Sequence, residues 1–378
     1  MPRGTITRKP NGKYLPRFRG PDGREVSRQF DRKADAQRWL DAQTSALVRG
    51  EWVDPKAGRT TVGELVPTWT ATKKGRKPTT RAAHESLLRS QVLPRWEQVP
   101  LSRITHSAVA AWLAGLTAED RAGGPLSASR ARHAFGVLSS LLDMAVRDGL
   151  LARNPAAGVE LPRLPQADRR YLTHGQLADL ADGCGPWRTL TLVLGYCGLR
   201  WGEAAALRVR RVDLLRGRIE VAEAVAEVDG RQVFGTPKTH QRRTVVVPRF
   251  LRAELTEALA GKGPDDFVFP SRAGTPLRAG NFRRNHFDRA AAAAGLPGLT
   301  PHELRHTAAS LAVASGASVK GVQAMLGHAS AAMTLDRYGH LFGDELDAVA
   351  DRLEAARADS LRTTRGPDAV RRISQLAD

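Results

Sequence analysis

The sequence is poor in cysteine, in long apolar runs and in negative charge. Only two cysteines occur among 378 residues, Cys184 and Cys197, so neither a disulfide framework nor a cysteine-rich metal site is indicated, and a reducing interior fits. The longest apolar stretch, around TLTLVLGYCGL, falls well short of the ~18 residues that a membrane span needs. The N-terminal MPRGTITRKPNGKY has no apolar segment typical of a signal peptide. We therefore expect a cytoplasmic or nucleoid-associated protein with no membrane partner.

The excess of positive charge is the strongest feature of the composition. Lysine and arginine number 58 against 39 aspartate and glutamate, which gives a net charge of +19 and a pI of about 10.9. A chain this basic usually binds a polyanion, and nucleic acid is the first candidate. Arginine outnumbers lysine, and its planar guanidinium suits bidentate contacts with phosphate. The alternative is a basic composition without any binding role.

The first domain is expected over residues 1–60, with 14 Lys/Arg against 7 Asp/Glu. GKYLPRFRG and REVSRQF alternate apolar with polar residues on either side of a GPDG turn, as strands of a half-buried sheet do. The following stretch predicts a helix over 31–50 with Asp31 as its N-cap. A small sheet with one helix would present Arg17, Arg19 and Arg28 to DNA. A solubilising appendage is the alternative interpretation.

Residues 61–160 predict a helical bundle. Thr61 and Glu64 form a capping-box pattern at the start of the first of four helices. The longest helix lies in SASRARHAFGVLSSLLDMAVRDGLL, and its early turns carry Arg130 and Arg132, which either contact a phosphate backbone or belong to a solvated face. The proline-containing stretch 151–170 predicts a linker.

Residues 161–343 predict a third domain in which helices surround a patch of short strands. RVDLLRGRIEV and RRTVVVP have the composition of strands, and DDFVFPS is a candidate third strand. A C-terminal helix and a polar tail are expected over 344–378. The fold class is therefore mainly α with small β-sheets (α+β): a sheet-plus-helix domain, a helical bundle and a mixed α/β domain.

The string HELRH at 302–306 has two interpretations. As H-E-x-x-H it is the zinc motif of metalloproteases, which also needs a third ligand downstream. Ala309 and Ala312 stand where the extended motif requires glycine and histidine, and no glutamate occurs between His306 and Glu345. The zinc interpretation therefore fails, and we expect no metal site.

As H-x-x-R-H, the same string places His302 and Arg305 on one face of a helix, where they suit a phosphate. Other segments carry residues of similar chemistry. Arg200 follows a break at Gly198, with Glu203 three residues later, and Lys238, His328 and Tyr338 follow in GTPKTHQRRTVVVP and MLGHASAAMTLDRYGH.

The segments GLRWGE, PKTHQRRTVVVP, HELRHT, LGH and DRYGH, in this order across about 140 residues, resemble the tyrosine recombinases, particularly the phage-type integrases. Each segment alone is common, but five in order are specific. Residues 161–343 are similar to the catalytic domain of that family. The bundle at 61–160 is similar to its core-site DNA-binding domain, and residues 1–60 look like its arm-type DNA-binding domain.

The resemblance implies that Tyr338 cleaves a DNA strand, giving a 3′-phosphotyrosine and a free 5′-hydroxyl. Arg200 and Arg305 would bind the non-bridging oxygens of the attacked phosphate. His302 and His328 would donate to these oxygens or transfer protons near neutral pH, with His302 helping to deprotonate the tyrosine.

Three further expectations complete this site. Lys238 would protonate the leaving 5′-oxygen, and Glu203 would orient Arg200. His306 and His340 are assigned structural capping or packing roles. Since the arginines supply the positive charge and the phosphotyrosine conserves the bond energy, neither a metal nor ATP is expected as a cofactor.

The expected partner is double-stranded DNA with attachment-type sites, bound by a homotetramer that holds two duplexes. An accessory DNA-bending or excision protein is a further possible partner. Two alternative functions are open: a type IB topoisomerase-like enzyme, which shares the chemistry, and a non-catalytic DNA-binding regulator. Replacing Tyr338 by phenylalanine distinguishes the regulator, since its action would be unchanged.

Overall fold

The computed structural model describes residues 4–20, 23–49, 52, 57–165, 170–237, 242–342 and 345–364. The chain divides into two compact units, residues 1–167 and 168–378. This division lies inside the stretch 151–170 that the sequence marks as a linker, whereas the boundaries near 60 and 343 stay predictions. Within the described ranges, no helix is both long enough and apolar enough to cross a membrane.

The first unit begins with a three-stranded antiparallel sheet and one helix. The strands are β1 (Thr5–Arg8), β2 (Tyr14–Arg19) and β3 (Glu25–Ser27), in the order β1-β2-β3, and the helix is α1 (Lys33–Val48). Phe18 of β2 is buried and meets the edge of Trp39 on α1, with ring centroids 5.7 Å apart. The predicted N-cap is wrong: Arg32 occupies that position, and the Asp31 carboxylate instead pairs with Lys13 at 3.1 Å.

The helical bundle follows in the same unit. Its helices are α2 (Val62–Thr72), α3 (Pro78–Leu87), α4 (Leu93–Trp96), α5 (His106–Leu116) and α6 (Ala128–Arg147). The capping box of Thr61 and Glu64 is present at the start of α2. A π-helical turn, Leu88–Val92, joins α3 to α4, where Pro94 lacks the N–H of a regular helix. Trp69, Trp96 and Leu138 lie fully buried in the core of this bundle.

The first half of the predicted linker belongs to the bundle. Ala156 and Val159 are buried in the bundle core. The Asn154 amide donates to the Ser139 backbone carbonyl at 3.1 Å and to the Asp143 carboxylate at 2.6 Å. The linker interpretation is therefore wrong for this part, because small apolar residues between prolines still bury their side chains.

The second unit is mainly helical and contains two small sheets. Its helices are α7 (His174–Gly183), α8 (Arg188–Cys197), α9 (Trp201–Ala205), α10 (Arg249–Leu259), α11 (Ala279–Phe282), α12 (Asp288–Ala293), α13 (Pro301–Ala314), α14 (Val319–Leu326), α15 (Ala331–Tyr338) and α16 (Glu345–Thr364). Its strands are β4 (Val212–Asp213), β5 (Arg218–Val221), β6 (Ala224–Val228), β7 (Arg231–Gly235) and β8 (Arg243–Val246). The sheet order is β4-β5-β8, with β6-β7 as a separate hairpin, all antiparallel.

Two strand predictions in this unit need correction. DDFVFPS forms no strand: Phe267 and Pro270 make only isolated bridges, to Arg208 and Pro276. The hairpin β6-β7 was not predicted, although its turn, Asp229-Gly230, has positive φ at both positions. An Asp-Gly pair between alternating apolar residues is a strong hairpin signal, so this hairpin is predictable from the sequence.

Two apolar clusters of the second unit determine where the site lies. The larger cluster surrounds α8, whose residues Leu192, Val193 and Leu194 are buried, and α13 packs against this helix. A smaller cluster contains Val322, Leu326 and Tyr338. Helices α13 and α14 contribute to the region where these two clusters approach each other.

Candidate active site

Two helix ends hold the guanidinium group of Arg305. Helices α8 and α14 both end at a glycine in the left-handed conformation, Gly198 and Gly327, each with φ of 64°. Arg305 of α13 donates to the carbonyl of Gly198 at 2.5 Å and to the carbonyl of Leu326. Carbonyls at helix C-termini lack partners inside their own helix. The Arg305 side chain therefore supplies a donor to one such carbonyl at the end of α8 and to another at the end of α14.

Arg305 carries a positive charge in a crowded, buried position. Only 3% of the residue is exposed. Burial, followed by repulsion from Arg200 and Arg243, lowers the pKa of Arg305 to about 9, and attraction to Glu203 and Tyr338 partly offsets this. The group stays protonated at neutral pH. Three arginines against one carboxylate therefore give this region a net positive charge.

Glu203 joins two arginines and is itself fully covered. Its carboxylate accepts from the Arg200 side chain and backbone N–H, both at 2.9 Å, and from Arg243 at 2.9 and 2.6 Å. The expected pairing of Glu203 with Arg200 is present, since they lie at the start of α9. Arg243 was not singled out from the sequence, although it belongs to the Arg-Arg pair in PKTHQRRTVVVP.

The electrostatics of Glu203 follow from these contacts. Burial disfavours the charged carboxylate, but the hydrogen bonds and charge of Arg243, together with those of Arg200, outweigh it and lower the pKa of Glu203 to about 2. The ionised form of Glu203 thus stabilises the fold. A carboxylate that holds two arginines is a positioning group rather than a reacting one.

Replacing Glu203 by glutamine is expected to remove a pH-dependent part of the stability. A pKa lowered from 4.5 to about 2 corresponds to about 3 kcal/mol at neutral pH, and this contribution is complete above pH ~4.5 and lost as the pH falls towards 2. The gap in unfolding free energy between wild type and Glu203→Gln should therefore narrow between pH 5 and pH 2. Urea unfolding followed by tryptophan fluorescence measures this gap, and a gap that is constant across this range would contradict the assignment.

His328 lies beside the arginines and is neutral at physiological pH. It is 6% exposed, and its Nδ1 lies 2.9 Å from the Thr334 hydroxyl. Burial, and then the charges of Arg305, Arg337, Arg200 and Arg243, lower the pKa of His328 to about 4. When the Thr334 hydroxyl donates to Nδ1, the proton is on Nε2, which is then a neutral donor. A proton-transfer role for His328 near neutral pH, expected from the sequence, does not fit this environment.

Tyr338 contacts His306, for which the sequence predicts only a structural role. Its hydroxyl lies 2.7 Å from Nδ1 of His306, and the tyrosine is 1% exposed. The rings of His328 and Tyr338 are nearly parallel, with centroids 6.2 Å apart. His302, the expected partner, is exposed and stacks edge-on against His306 at 5.2 Å. The spacing of four residues between His302 and His306 already indicated one helix face.

Glu303, the acidic member of the H-E-x-x-H string, is used as a helix cap. It accepts from the Thr300 backbone N–H at 2.8 Å and pairs with Arg170 at 3.2 Å. Across the described ranges, no group of three or more His, Cys, Asp or Glu side chains is arranged to hold a metal ion.

Comparisons with known proteins identify the family. The phage integrase family model matches residues 170–344, and the model of the phage integrase N-terminal domain matches residues 3–49. The tyrosine recombinase XerD of Pseudomonas aeruginosa is 30% identical over 218 residues, which cover 54% of this chain and 69% of that protein. The chain belongs to the tyrosine recombinase family.

Other similarities extend over more of this recombinase. The integrase of Mycobacterium phage D29 is 27% identical over 353 residues, or 88% of this chain and 91% of that protein. The solved structure of the Tn1549 transposon integrase in complex with transposon right end DNA has the same fold. Its TM-score is 0.66 at 21% identity, covering 78% of this chain and 100% of that chain.

The recombinase is an enzyme that cleaves and rejoins DNA strands in site-specific recombination. Neither the topoisomerase-like alternative nor the regulator is favoured by these matches. The expected fold class, mainly α with small β-sheets, is confirmed.

The structure brings five of the expected site residues of the recombinase together: Arg200, Glu203, Arg305, His328 and Tyr338. The ring of His302 contacts that of His306, which is hydrogen-bonded to Tyr338. Lys238 lies outside the described residues.

The arginines expected to bind DNA lie in the first unit. Arg17 is partly exposed and 3.4 Å from Glu25, Arg19 is exposed at the end of β2, and Arg28 lies over the Phe30 ring at 5.3 Å. On α6, Arg130 is exposed and Arg132 is half-buried.

Replacing Gly327 by alanine in the recombinase is expected to disturb both Arg243 and the end of α14. A Cβ atom there would lie 2.7 Å from Cδ of Arg243, in a left-handed conformation that costs non-glycine residues about 1–2 kcal/mol. The strand-cleavage rate and the melting temperature should both fall. Gly230→Ala, at a hairpin turn with φ of 74° and open space around it, is the matched control: it should lower only the melting temperature. Equal cleavage losses in both variants would contradict this account.

Proposed function

We propose that this recombinase integrates or excises a phage or other mobile element, with Tyr338 as the nucleophile that forms a 3′-phosphotyrosine. One observation carries the assignment. The Tyr338 hydroxyl is hydrogen-bonded to His306 at 2.7 Å. His328, whose ring lies nearly parallel to that of Tyr338, is surrounded by arginines. A nucleophile paired with a proton acceptor beside fixed positive charge is the arrangement that attack on a phosphodiester requires.

Arg200 and Arg305 are the proposed phosphate ligands. The attacked phosphodiester gains negative charge on its non-bridging oxygens, and donors fixed in advance stabilise that charge best. Glu203 holds Arg200, while the Gly198 and Leu326 carbonyls hold Arg305. Each guanidinium has five N–H groups, so both retain donors for a phosphate. Neither arginine must reorganise during the reaction.

Activation of Tyr338 is assigned to His306 and to the positive charge. A tyrosine hydroxyl has an ordinary pKa of about 10, so attack at neutral pH requires removal of its proton. His306 is in hydrogen-bonding contact with that hydroxyl, and Arg305 attracts the ionised tyrosine. His302, whose ring meets that of His306 and is exposed, is the proposed route by which the proton reaches solvent.

The leaving oxygen and the remaining phosphate oxygens need donors of their own. His328, neutral and fixed by Thr334, is proposed to donate a hydrogen bond to a non-bridging oxygen. Lys238, from the sequence motif, is proposed to protonate the 5′-oxygen as it departs. In the reverse reaction, Lys238 takes the proton of the attacking 5′-hydroxyl as the bond between phosphorus and the tyrosine oxygen breaks, and His306 returns a proton to that oxygen, so both side chains recover their starting protonation.

Replacing His306 by glutamine is expected to lower the rate of DNA cleavage by about 10²-fold, the contribution usual for a general base. The variant's rate should still rise with pH where the wild-type rate is already constant, because hydroxide must replace the lost acceptor. The covalent adduct formed over time at each pH measures this. His174→Gln is the matched control, since His174 makes a similar 2.8 Å contact with Tyr196. Equal loss in both variants would contradict the role of His306.

The partners proposed for the recombinase are two DNA duplexes with attachment-type sites, held by a homotetramer. Support comes from the relatives, which include the integrase of Mycobacterium phage D29, and from the net charge of +19. Arg17, Arg19, Arg28, Arg130 and Arg132 are proposed to contact the DNA backbone. Work on chromosomal sites would place the protein in the nucleoid, and an accessory DNA-bending or excision protein is the proposed determinant of direction.

The function is tested by trapping the covalent intermediate. Purified recombinase is incubated in EDTA with sheared genomic DNA of its source organism, denatured in SDS, and the protein-linked fragments are sequenced. The proposal expects adducts that converge on one sequence. Binding without any adduct, in the presence of that DNA, would reject strand cleavage as the function.

A further inference from the structure

A pocket of about 280 Å³ lies between the start of β8 and helix α14. Its walls include Arg242, Thr244, Lys320, Gln323 and His328. Arg200, Arg305 and Tyr338 do not line it. The pocket therefore adjoins the active site through His328 without being the place where the scissile phosphate binds.

The charge balance of this pocket is positive. Arg243, on its inner wall, is already neutralised by the buried Glu203 carboxylate at 2.6 Å. The Arg242 side chain is 72% exposed, and its contact with Glu220 is long, at 3.8 Å. Arg211 pairs with the same carboxylate more closely, at 2.5 Å. Lys320 is exposed, and no carboxylate of the described residues pairs with it. Two long basic side chains thus border an open, polar cavity.

The chemistry of these walls suits one class of ligand. A guanidinium, an ammonium and the exposed Thr244 hydroxyl are all donors to phosphate oxygens. A nucleic acid strand carries a phosphate at every nucleotide, so a strand with one phosphate at Arg200 and Arg305 has further phosphates for a neighbouring site.

We infer that Arg242, Thr244 and Lys320 form a second phosphate site, which binds the DNA phosphate adjacent to the scissile one on the cleaved strand. This inference rests on the proposed function, because the adjacent phosphate is defined by the cleavage position. Two phosphates held on either side of His328 fix both the position and the direction of the strand. Arg242 and Lys320 are then positioning residues: they act on the alignment of the scissile phosphate and touch no reacting atom.

The test combines protein variants with a chemical change in the DNA. A duplex carrying the trapped target sequence, nicked so that the cleaved fragment leaves, receives a neutral methylphosphonate at one phosphate at a time. Covalent adduct formation over time is measured for wild type and for the double variant Arg242→Ala/Lys320→Ala. Arg216→Ala, which removes an exposed arginine outside the pocket, is the control.

For the wild type, neutralising the adjacent phosphate should slow adduct formation by about 10-fold, as expected when charge-assisted hydrogen bonds are lost. The double variant on unmodified DNA should show a similar loss. The double variant acting on methylphosphonate DNA should form adducts only slightly more slowly than with either change alone, since both changes remove the same contact. Arg216→Ala should remain as sensitive to the methylphosphonate as the wild type.

Two failures are distinguishable. If a methylphosphonate at each tested phosphate near the nick slows adduct formation by the double variant a further 10-fold, the two changes act independently. The pocket then binds none of these phosphates, although the recombinase still cleaves. If the wild type forms no adduct with unmodified target DNA, the proposed function itself is rejected, and the second site with it.

Discussion

Tyr338→Phe recombinase is expected to bind DNA normally and to form no covalent adduct. Removing a nucleophile lowers catalytic rates by about 10⁴-fold or more, because the oxygen that forms the covalent bond is absent. The substitution removes one hydroxyl and leaves the ring in its small apolar cluster with Val322 and Leu326, so the fold is retained. Gel electrophoresis in SDS measures the adduct, and a filter or mobility-shift assay measures binding.

Tyr196→Phe is a control for this result. Tyr196 also bonds a histidine through its hydroxyl, His174 at 2.8 Å, so the same atom is removed from a similar environment. The control should form adducts at the wild-type rate. Adducts formed by Tyr338→Phe at a comparable rate would show that another tyrosine attacks, and mapping the linked peptide would identify it.

Arg305→Ala is expected to lower DNA cleavage by about 10³-fold, the upper range for loss of one preorganised donor to an oxyanion. DNA binding should change little, since its free energy is spread over many phosphates. Arg305→Lys separates charge from geometry. One ammonium keeps the charge but cannot reproduce the planar fork that reaches the Gly198 and Leu326 carbonyls, so cleavage should still fall by about 10²-fold.

Arg283→Ala provides the comparison for charge alone. Arg283 is half-buried and lies 3.1 Å from Asp288, and its loss also reduces the net charge by one. We expect near-wild-type cleavage from this variant. Single-turnover adduct formation at saturating DNA isolates the chemical step from binding. An Arg305→Ala protein that cleaves as fast as Arg283→Ala would remove Arg305 from the phosphate site.

The sequence predicted the residues that meet in the site better than the contacts between them. Arg200 and Glu203 lie three residues apart, and their pairing could be expected from that spacing. Arg243 bonds Glu203 across 40 positions, and His306 bonds Tyr338 across 32. Such contacts depend on how α13, α15 and β8 pack, which short motifs do not determine.

The predictions of secondary structure likewise include some that match the structure and some that do not. Helices with a clear apolar face, such as α6, were predicted from their periodicity. DDFVFPS is a candidate third strand from its composition, but Phe269 is instead buried in the large apolar cluster of the second unit. Residues 151–170 predict a linker because they contain three prolines and end in charged residues, yet the part around Ala156 is packed in the bundle core. In both cases tertiary packing decided against the local preference.

The small cluster around Tyr338 also sets the local stability of the segment that carries this proposed nucleophile. Tyr338 packs with Ala309, Val322 and Leu326, apart from the large core around α8. Only Thr334 and Tyr338 of α15 are buried, so we expect the free energy of detaching this helix to be well below that of unfolding the whole unit. The segment can therefore exchange its amide hydrogens, and tolerate substitutions, independently of the rest of the domain. Selection can then adjust how often the proposed nucleophile is in place without changing the arginines that are proposed to bind phosphate.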